Sequence, residues 1–281
     1  MRTALALLVL LGSFSLSASV DDLKALAEQG GAEAQFSLAF MYKYGVGTPQ
    51  DYKGALKWYR ASAEQGYADA QNNLGNMYYK GEGTPQDYKE ALKWYTASAE
   101  QGDAVAQFTL GYNHYKGIGA PQDYKEALKW YRASAEQGDQ YAQSSLAAMY
   151  YYGEGAPQDY KEALRWSKAS AEQGYASSQF ALAIMYQNGE GTPQNYKEAL
   201  KWYRASAEQG NSSSQFNLGV MYANGDGAIQ DYKSAHMWFN LAAANGHEGA
   251  KTDRDKVAGM MTPADVSEAQ QMASDWIKAH P

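Results

Sequence analysis

The sequence contains no cysteine, only four histidines, and fewer basic than acidic side chains: 24 Lys and Arg against 31 Asp and Glu. Without cysteine, disulfide bonds, thiolate zinc sites, cysteine nucleophiles and a lipid-anchored cysteine are excluded. The net charge of −7 disfavours a nucleic-acid backbone or an anionic membrane as the main ligand. We therefore predict no nucleic-acid partner.

Long apolar runs are also scarce, and one lies at the N-terminus. A short basic start at Arg2 precedes the apolar residues 4–11, and small residues follow at Ser17, Ala18 and Ser19. This order is typical of a secretory signal peptide, here residues 1–19. The alternative is an uncleaved anchor, but the apolar run is shorter than the roughly 20 residues that span a bilayer. We predict a mature chain that starts near Val20, is periplasmic or secreted, and does not insert into membranes.

A strict repeat organises the rest of the chain. Pro-Gln-Asp-Tyr-Lys at Pro49 returns in identical or near-identical form every 36 residues, at Pro85, Pro121, Pro157, Pro193 and Ile229. A fixed period of this length is typical of a stacked solenoid, in which each unit packs only against its neighbours.

The pattern predicts two antiparallel helices in each repeat, and residues 67–102 illustrate it. Apolar or small residues at helical spacing define one face of the first helix, at Ala70, Leu74, Met77 and Tyr78. Gly81 and Gly83 end that helix and let the chain turn back. Asp87 is an N-cap for the second helix, and Glu90 three residues later predicts a capping box.

Tryptophan recurs at one phase of the repeat, at Trp58, Trp94, Trp130, Trp166, Trp202 and Trp238. An aromatic ladder for glycans is one interpretation. Repeated core packing is the interpretation that we favour, because a large residue in phase with the period is what stacking of units requires.

Together these patterns resemble the Sel1-like repeat, a relative of the tetratricopeptide repeat. The resemblance covers about residues 22–250 and includes two glycines, an aspartate, a Trp-Tyr pair and a terminal glycine in phase. It implies an all-α fold: an αα-hairpin solenoid with a right-handed superhelix and terminal capping helices. Departures are local, with Asn113-His114 replacing Met-Tyr, Ser167 replacing Tyr, and Ile229 replacing Pro.

The repeat boundaries follow from the period. We place an N-terminal capping helix at residues 20–30 and C-terminal capping helices at residues 247–281. The six repeats between them are 31–66, 67–102, 103–138, 139–174, 175–210 and 211–246.

No constellation of catalytic or metal-binding residues is visible. The four histidines lie at unrelated phases of the repeat, and His247-Glu248 lacks the second histidine of a metalloprotease helix. The Gly-x-Gly loops lack the Gly-Lys-Ser/Thr sequel of a phosphate-binding loop. We predict a protein that is not an enzyme and that needs no cofactor or metal.

Positions that vary between repeats predict the contact surface. On the first helix of each repeat they fall at i, i+3, i+4, i+7 and i+11, which is one helical stripe. In the superhelix that the family resemblance implies, this helix lines the concave side. The candidate contact residues are Phe36, Phe40, Tyr44, Asn76, Phe108, Tyr112, Lys116, Tyr152, Ile184 and Asn188. The alternative is drift on a solvent-exposed face, with the phenylalanines partly buried between units.

The sequence thus predicts an exported, monomeric scaffold that binds a protein partner along this stripe. A narrower alternative is a periplasmic immunity protein that neutralises a secreted, lipase-type effector. An alternative of another class is a β-lactam-binding or hydrolysing enzyme, as in the cysteine-rich branch of the family. This chain has neither the cysteines of that branch nor an acylation motif.

Overall fold

A computed structural model describes residues 20–280, which contain fifteen helices and no strand. The chain divides into two compact units, Met1–Gln137 and Gly138–Pro281. The helices of the first unit are α1 Val20–Glu28, α2 Ala32–Tyr44, α3 Tyr52–Glu64, α4 Ala68–Lys80, α5 Tyr88–Glu100, α6 Ala104–Lys116 and α7 Tyr124–Glu136. Those of the second are α8 Gln140–Tyr152, α9 Tyr160–Glu172, α10 Ala176–Asn188, α11 Tyr196–Ala207, α12 Ser212–Asn224, α13 Tyr232–Ala244, α14 Ala250–Ala258 and α15 Pro263–Ala279.

The helices pair as hairpins, one hairpin to each repeat. We call the first helix of a repeat the A helix and the second the B helix, so that α2 and α3 form repeat 1 and α12 and α13 form repeat 6. The all-α hairpin solenoid predicted from the sequence is confirmed for the described residues. The helix α1 precedes repeat 1, and its Leu23 and Ala27 are buried in the core of that repeat.

The turns follow from local sequence chemistry. Each A helix ends on a glycine in the left-handed conformation, such as Gly81 with φ 72°. The B helix α5 begins at the N-cap Asp87, whose Oδ1 accepts hydrogen bonds from the backbone N–H groups of Lys89 and Glu90, both at 3.0 Å. Caps of this kind contribute about 1 kcal/mol each.

The predicted capping box is wrong in its second half. The backbone N–H of Asp87 already donates to the carbonyl oxygen of Tyr78 at 2.9 Å, so that Glu90 has no cap donor to satisfy. Its carboxylate instead accepts from Trp94 Nε1 at 3.0 Å. Glu162 accepts from Trp166 Nε1 in the same way at 3.1 Å.

The repeated tryptophans are packing residues that differ in how far they are covered. Three are buried (Trp58, Trp166 and Trp238), and Trp94, Trp130 and Trp202 are half-buried. A basic side chain lies over several of the rings, for example Lys129 Nζ at 4.7 Å from the centroid of Trp130. The interpretation as core packing therefore describes the inner faces of the rings, and a lysine or arginine lies over the outer face in repeats 1 to 5.

Buried glutamines link consecutive helices by side-chain hydrogen bonds. Gln71 Nε2 donates to the carbonyl oxygen of Ala63 in the preceding repeat at 3.1 Å, and Gln101 Nε2 donates to Gln71 Oε1 at 2.7 Å. The second unit repeats the arrangement with Gln179 and Gln209. Because each buried amide is satisfied by its neighbours, the links contribute about 1 kcal/mol each and fix the spacing of the repeats.

The C-terminal helices pack on repeat 6. The ring of Trp276 in α15 meets Trp238 edge to face, with centroids 5.9 Å apart. Among the described residues no helix is both long and apolar enough to cross a membrane. The predicted signal peptide, residues 1–19, lies outside the described residues.

Candidate protein-binding surface

The A-helix stripe is the set of candidate contact residues named from the sequence, and the structure divides it by exposure. In the first unit Tyr44 is 50% exposed and Tyr112 is 40% exposed, and Lys116 is also exposed. In the second unit Tyr152 is 69% exposed, and Asn188 is exposed as well. Half-buried members are Phe40, Asn76, Phe108 and Ile184.

Phe36 does not belong to the accessible surface. Its side chain is buried and packs against the rings of Tyr59 and Tyr67, with centroids 5.6 Å and 5.2 Å away. The position i+3 of the stripe points back toward the B helix of the same repeat, which is why a phenylalanine there enters the core. Phe108 follows the same rule with Tyr131, at 5.7 Å.

Asn76 also serves the fold. Its Oδ1 accepts a hydrogen bond from the hydroxyl of Tyr95 at 2.9 Å, and Tyr95 is buried. Burial raises the pKa of Tyr95, so its hydroxyl stays protonated and able to donate. A partner could therefore contact only the part of the Asn76 amide that Tyr95 does not use.

In the first unit, contacts with neighbouring residues hold the aromatic side chains of Phe40 and Tyr44 in place. Phe40 and Tyr44 are in ring contact at 4.5 Å. The neighbouring Lys43 is buried, and its Nζ lies 3.4 Å from Glu82 Oε2 in the loop of the next repeat. Burial lowers the pKa of Lys43, and the opposite charge of Glu82 counteracts that shift. Tying Lys43 to this loop fixes the last turn of α2, where Tyr44 is displayed.

The second unit supports Tyr152 by an equivalent arrangement. The hydroxyl of Tyr151 donates to the carboxylate of Glu190, with Oε1 at 3.1 Å and Oε2 at 3.0 Å. Glu190 lies 39 residues after Tyr151, the same separation as between Lys43 and Glu82. Burial first, and then the hydrogen bond with Glu190, raises the pKa of Tyr151 to about 12. In both units the residue before an exposed tyrosine is therefore held by a glutamate of the next loop.

Sequence reasoning missed these supporting pairs and the glutamine links. The signal was present, because Glu82 and Glu190 occupy the same phase of the repeat between the two glycines. It was not interpretable alone, since Lys43 and Tyr151 are chemically different partners. No group of three or more His, Asp or Glu side chains within residues 20–280 is placed to hold a metal ion.

Comparison with known proteins agrees with this architecture. The model of the Sel1 repeat matches residues 32–67, 68–103, 104–139, 140–175, 176–211 and 212–247, one residue later than the units used above. A search of curated proteins found no match.

Solved structures give the same picture. The crystal structure of c5321, a protective antigen present in uropathogenic Escherichia coli strains, is 36% identical with a TM-score of 0.83. The match covers 92% of this chain and 56% of that one, so the chain spans little more than half the length of that relative. A Sel1 repeat protein from Oxalobacter formigenes is 34% identical with a TM-score of 0.68, covering 84% of this chain and 95% of that one.

A third neighbour is more distant. Immunity protein Pa5087 from Pseudomonas aeruginosa is 22% identical with a TM-score of 0.40, over 77% of this chain and 83% of that one. At that distance the likeness carries no argument about function. The six matched repeats and the two closer structures, in contrast, leave one conclusion: the chain belongs to the Sel1 repeat family.

Proposed function

We propose that this protein is an exported scaffold that binds a protein partner through the accessible residues of the A-helix stripe. The fold is a Sel1 repeat scaffold, and repeats of this kind generally bind proteins. The observation that carries the proposal is the set of exposed tyrosines on the C-terminal halves of A helices, Tyr44, Tyr112 and Tyr152. Tyrosine is enriched among the anchors of protein interfaces, because a rigid ring covers a large area and its hydroxyl can hydrogen-bond.

Tyr112 is the residue best suited to a test. The equivalent positions of the other repeats hold Phe40, Asn76, Ala148, Ile184 and Val220, so the fold does not require an aromatic ring there. We expect Tyr112→Ala to change the free energy of unfolding by less than about 0.5 kcal/mol. We expect the same change to weaken partner binding at least about tenfold.

The matched control is Tyr88→Ala. Tyr88 is as exposed as Tyr112, at 40%, but it starts a B helix and recurs as tyrosine in every repeat. The partner is first captured from a cell-envelope extract on the wild-type protein. A photocrosslinking residue placed at position 112 or at position 88 then shows which of the two positions contacts the partner. Binding by Tyr112→Ala, Phe40→Ala and Tyr44→Ala at wild-type affinity would exclude this face.

Export is the second element of the proposal. It is supported by the order of basic, apolar and small residues over residues 1–19, and Sel1 repeat proteins of bacteria are often exported. N-terminal sequencing of the protein from the cell envelope is expected to begin near Val20. Recovery of a soluble cytoplasmic protein that retains Met1 would contradict export.

A further inference from the structure

One buried position of the B helix sets repeat 4 apart. The residue after the repeated tryptophan is a buried aromatic in five repeats: Tyr59, Tyr95, Tyr131, Tyr203 and Phe239. Repeat 4 has Ser167 there, and this serine is buried as well, at 3% exposure. A buried serine in place of a ring leaves part of the interior unfilled.

The position that faces this ring changes in the same repeat. Where the A helix carries phenylalanine at i+3, its ring packs on the B-helix aromatic, as for Phe180 and Tyr203 at 5.9 Å or Phe216 and Phe239 at 5.5 Å. Repeat 4 has Ser144 at that position. It therefore lacks both rings of the pair.

The result is a half-enclosed pocket of about 220 Å³ between α8 and α10. Ser144, Ser167 and Ser178 contribute hydroxyl groups, and Phe180 and Ile184 form an apolar wall. Ala148 and Tyr152, both exposed, stand at its rim. Apolar cavities of about 150 Å³ already admit a benzene ring, so this pocket has room for one aromatic side chain.

We propose that this pocket receives the ring of a phenylalanine or tyrosine side chain presented by the protein partner. The inference rests on the proposed function and names the chemistry of one contact. Tyr152 and Ile184, two residues of the A-helix stripe, line the pocket, so it opens on the surface predicted to bind. None of the described residues that line it is charged, so a Lys, Arg, Asp or Glu anchor would lose its hydration without compensation.

The protein's own tyrosines show how such a ring would be held. In repeat 5 the ring of Tyr203 lies against Phe180, and its hydroxyl donates to Gln187 Oε1 at 2.6 Å. Phe180 also lines the pocket of repeat 4, so a guest ring would pack against a phenylalanine as the internal rings do. The hydroxyls of Ser144 and Ser167 give a tyrosine guest hydrogen-bonding partners, and the hydroxyl of Ser178, which donates to Ser170 Oγ at 2.8 Å, can still accept.

The first test uses blocked single residues, N-acetyl-tyrosinamide and N-acetyl-leucinamide, titrated into protein with labelled isoleucine methyl groups. The chain has only four isoleucines, Ile118, Ile184, Ile229 and Ile277, so the other three report non-specific effects. The tyrosine compound should shift the Ile184 signal saturably and bind at least about fivefold more tightly than the leucine compound. Equal binding of the two compounds, or no saturable shift at Ile184, would overturn the proposal.

The second test fills the pocket. Ser167→Tyr and Ala148→Phe introduce residues that stand at the equivalent positions of other repeats, Tyr203 and Phe40, so the fold can accommodate each of them. Thr96→Arg is the control, because it matches Arg60, Arg132 and Arg204 of other repeats and lies on a B helix, outside both the pocket and the A-helix stripe. Melting curves verify folding of all three variants.

Both pocket-filling variants should weaken binding of the captured partner at least about tenfold, while Thr96→Arg leaves its affinity unchanged. Wild-type affinity in Ser167→Tyr and Ala148→Phe would overturn the pocket proposal. That result would leave the proposed function intact if Tyr112→Ala still weakened binding. Failure of the proposed function itself would appear in the Tyr112 experiment.

Discussion

Repeats 4 and 5 are neighbours in the second unit, and they have the same hairpin backbone with different interiors. In both, the B-helix serine donates to the first residue of the A helix at 2.8 Å, Ser170 to Gln140 and Ser206 to Ala176. In both, the terminal glutamine of the B helix is bonded to the A-helix glutamine at 2.8 Å. Only repeat 5 has the pair of rings, Phe180 and Tyr203.

In these two repeats, the residues that set the distance between the helices differ from the residues that fill the space between them. Leucine and small residues at the helix contact, together with the serine and glutamine hydrogen bonds, recur in both repeats and set the distance between helices. The aromatic pair occupies the space that this distance leaves. When the pair is absent, hydrogen bonds on either side hold the helices apart, and a pocket remains.

The largest expected effect comes from making repeat 5 resemble repeat 4. Tyr203→Ser removes a fully buried ring, and we expect it to lower the free energy of unfolding by about 3–5 kcal/mol, as for other large-to-small core changes. Ser167→Ala, at the equivalent position of repeat 4, should cost less than about 1 kcal/mol. Urea denaturation followed by circular dichroism compares them, and similar losses would refute the distinction between the residues that set the helix distance and those that fill the space.

A smaller effect is expected at the junction of the two repeats. Gly191, in the loop of repeat 5, has φ 73°, and a Cβ there would overlap the carbonyl oxygen of Tyr160 in repeat 4. Gly210 has a similar φ of 84° but no atom within 4 Å of a Cβ. Gly210→Ala should cost about 1 kcal/mol for the left-handed conformation alone.

For Gly191→Ala the overlap adds about 1–3 kcal/mol to that conformational cost. Thermal unfolding of the two variants measures the difference directly. If both variants lost the same stability, the junction would tolerate the extra methyl group, and close contact between the repeats would not be what requires the second glycine.

The smallest effect concerns another departure from the repeated pattern. His236 in α13 stands where the five earlier repeats have leucine, and it is buried. Burial, and then the positive charge of Arg254, lowers the pKa of His236, while Asp255 acts in the opposite direction. Between the lowered folded pKa and the ordinary value of about 6.5, the unfolded chain binds the additional proton.

Stability from this group is therefore complete above about pH 6.5 and is lost as the pH falls toward the folded pKa. His236→Leu removes the titrating group and restores the residue of the other repeats. We expect the melting temperature of the wild type to fall more between about pH 7.5 and pH 5 than that of the variant. Parallel curves would show that acid destabilisation comes from other groups.

Many residues of the candidate surface could be predicted from the sequence, because comparison of the repeats with one another separates constant from variable positions. Tyr44, Tyr112 and Tyr152 were identified in this way, and all three are exposed. The same reasoning placed Phe36 on the surface, although it is buried. Periodicity assigns a residue to a face of its helix, but it does not show how far the next helix covers that face.

The period, the two helices of each repeat and the ends of those helices can be predicted from the sequence alone. These features depend on groups close together in the chain: a glycine that accepts a positive φ, an aspartate that caps, and a leucine face at helical spacing. Contacts between repeats decided the remainder. Lys43 pairs with Glu82 in the loop of the next repeat, Gly191 lies against the carbonyl oxygen of Tyr160, and the absence of rings at Ser144 and Ser167 leaves a pocket beside α10. Each depends on a neighbour brought close by folding, at a distance that no local pattern specifies.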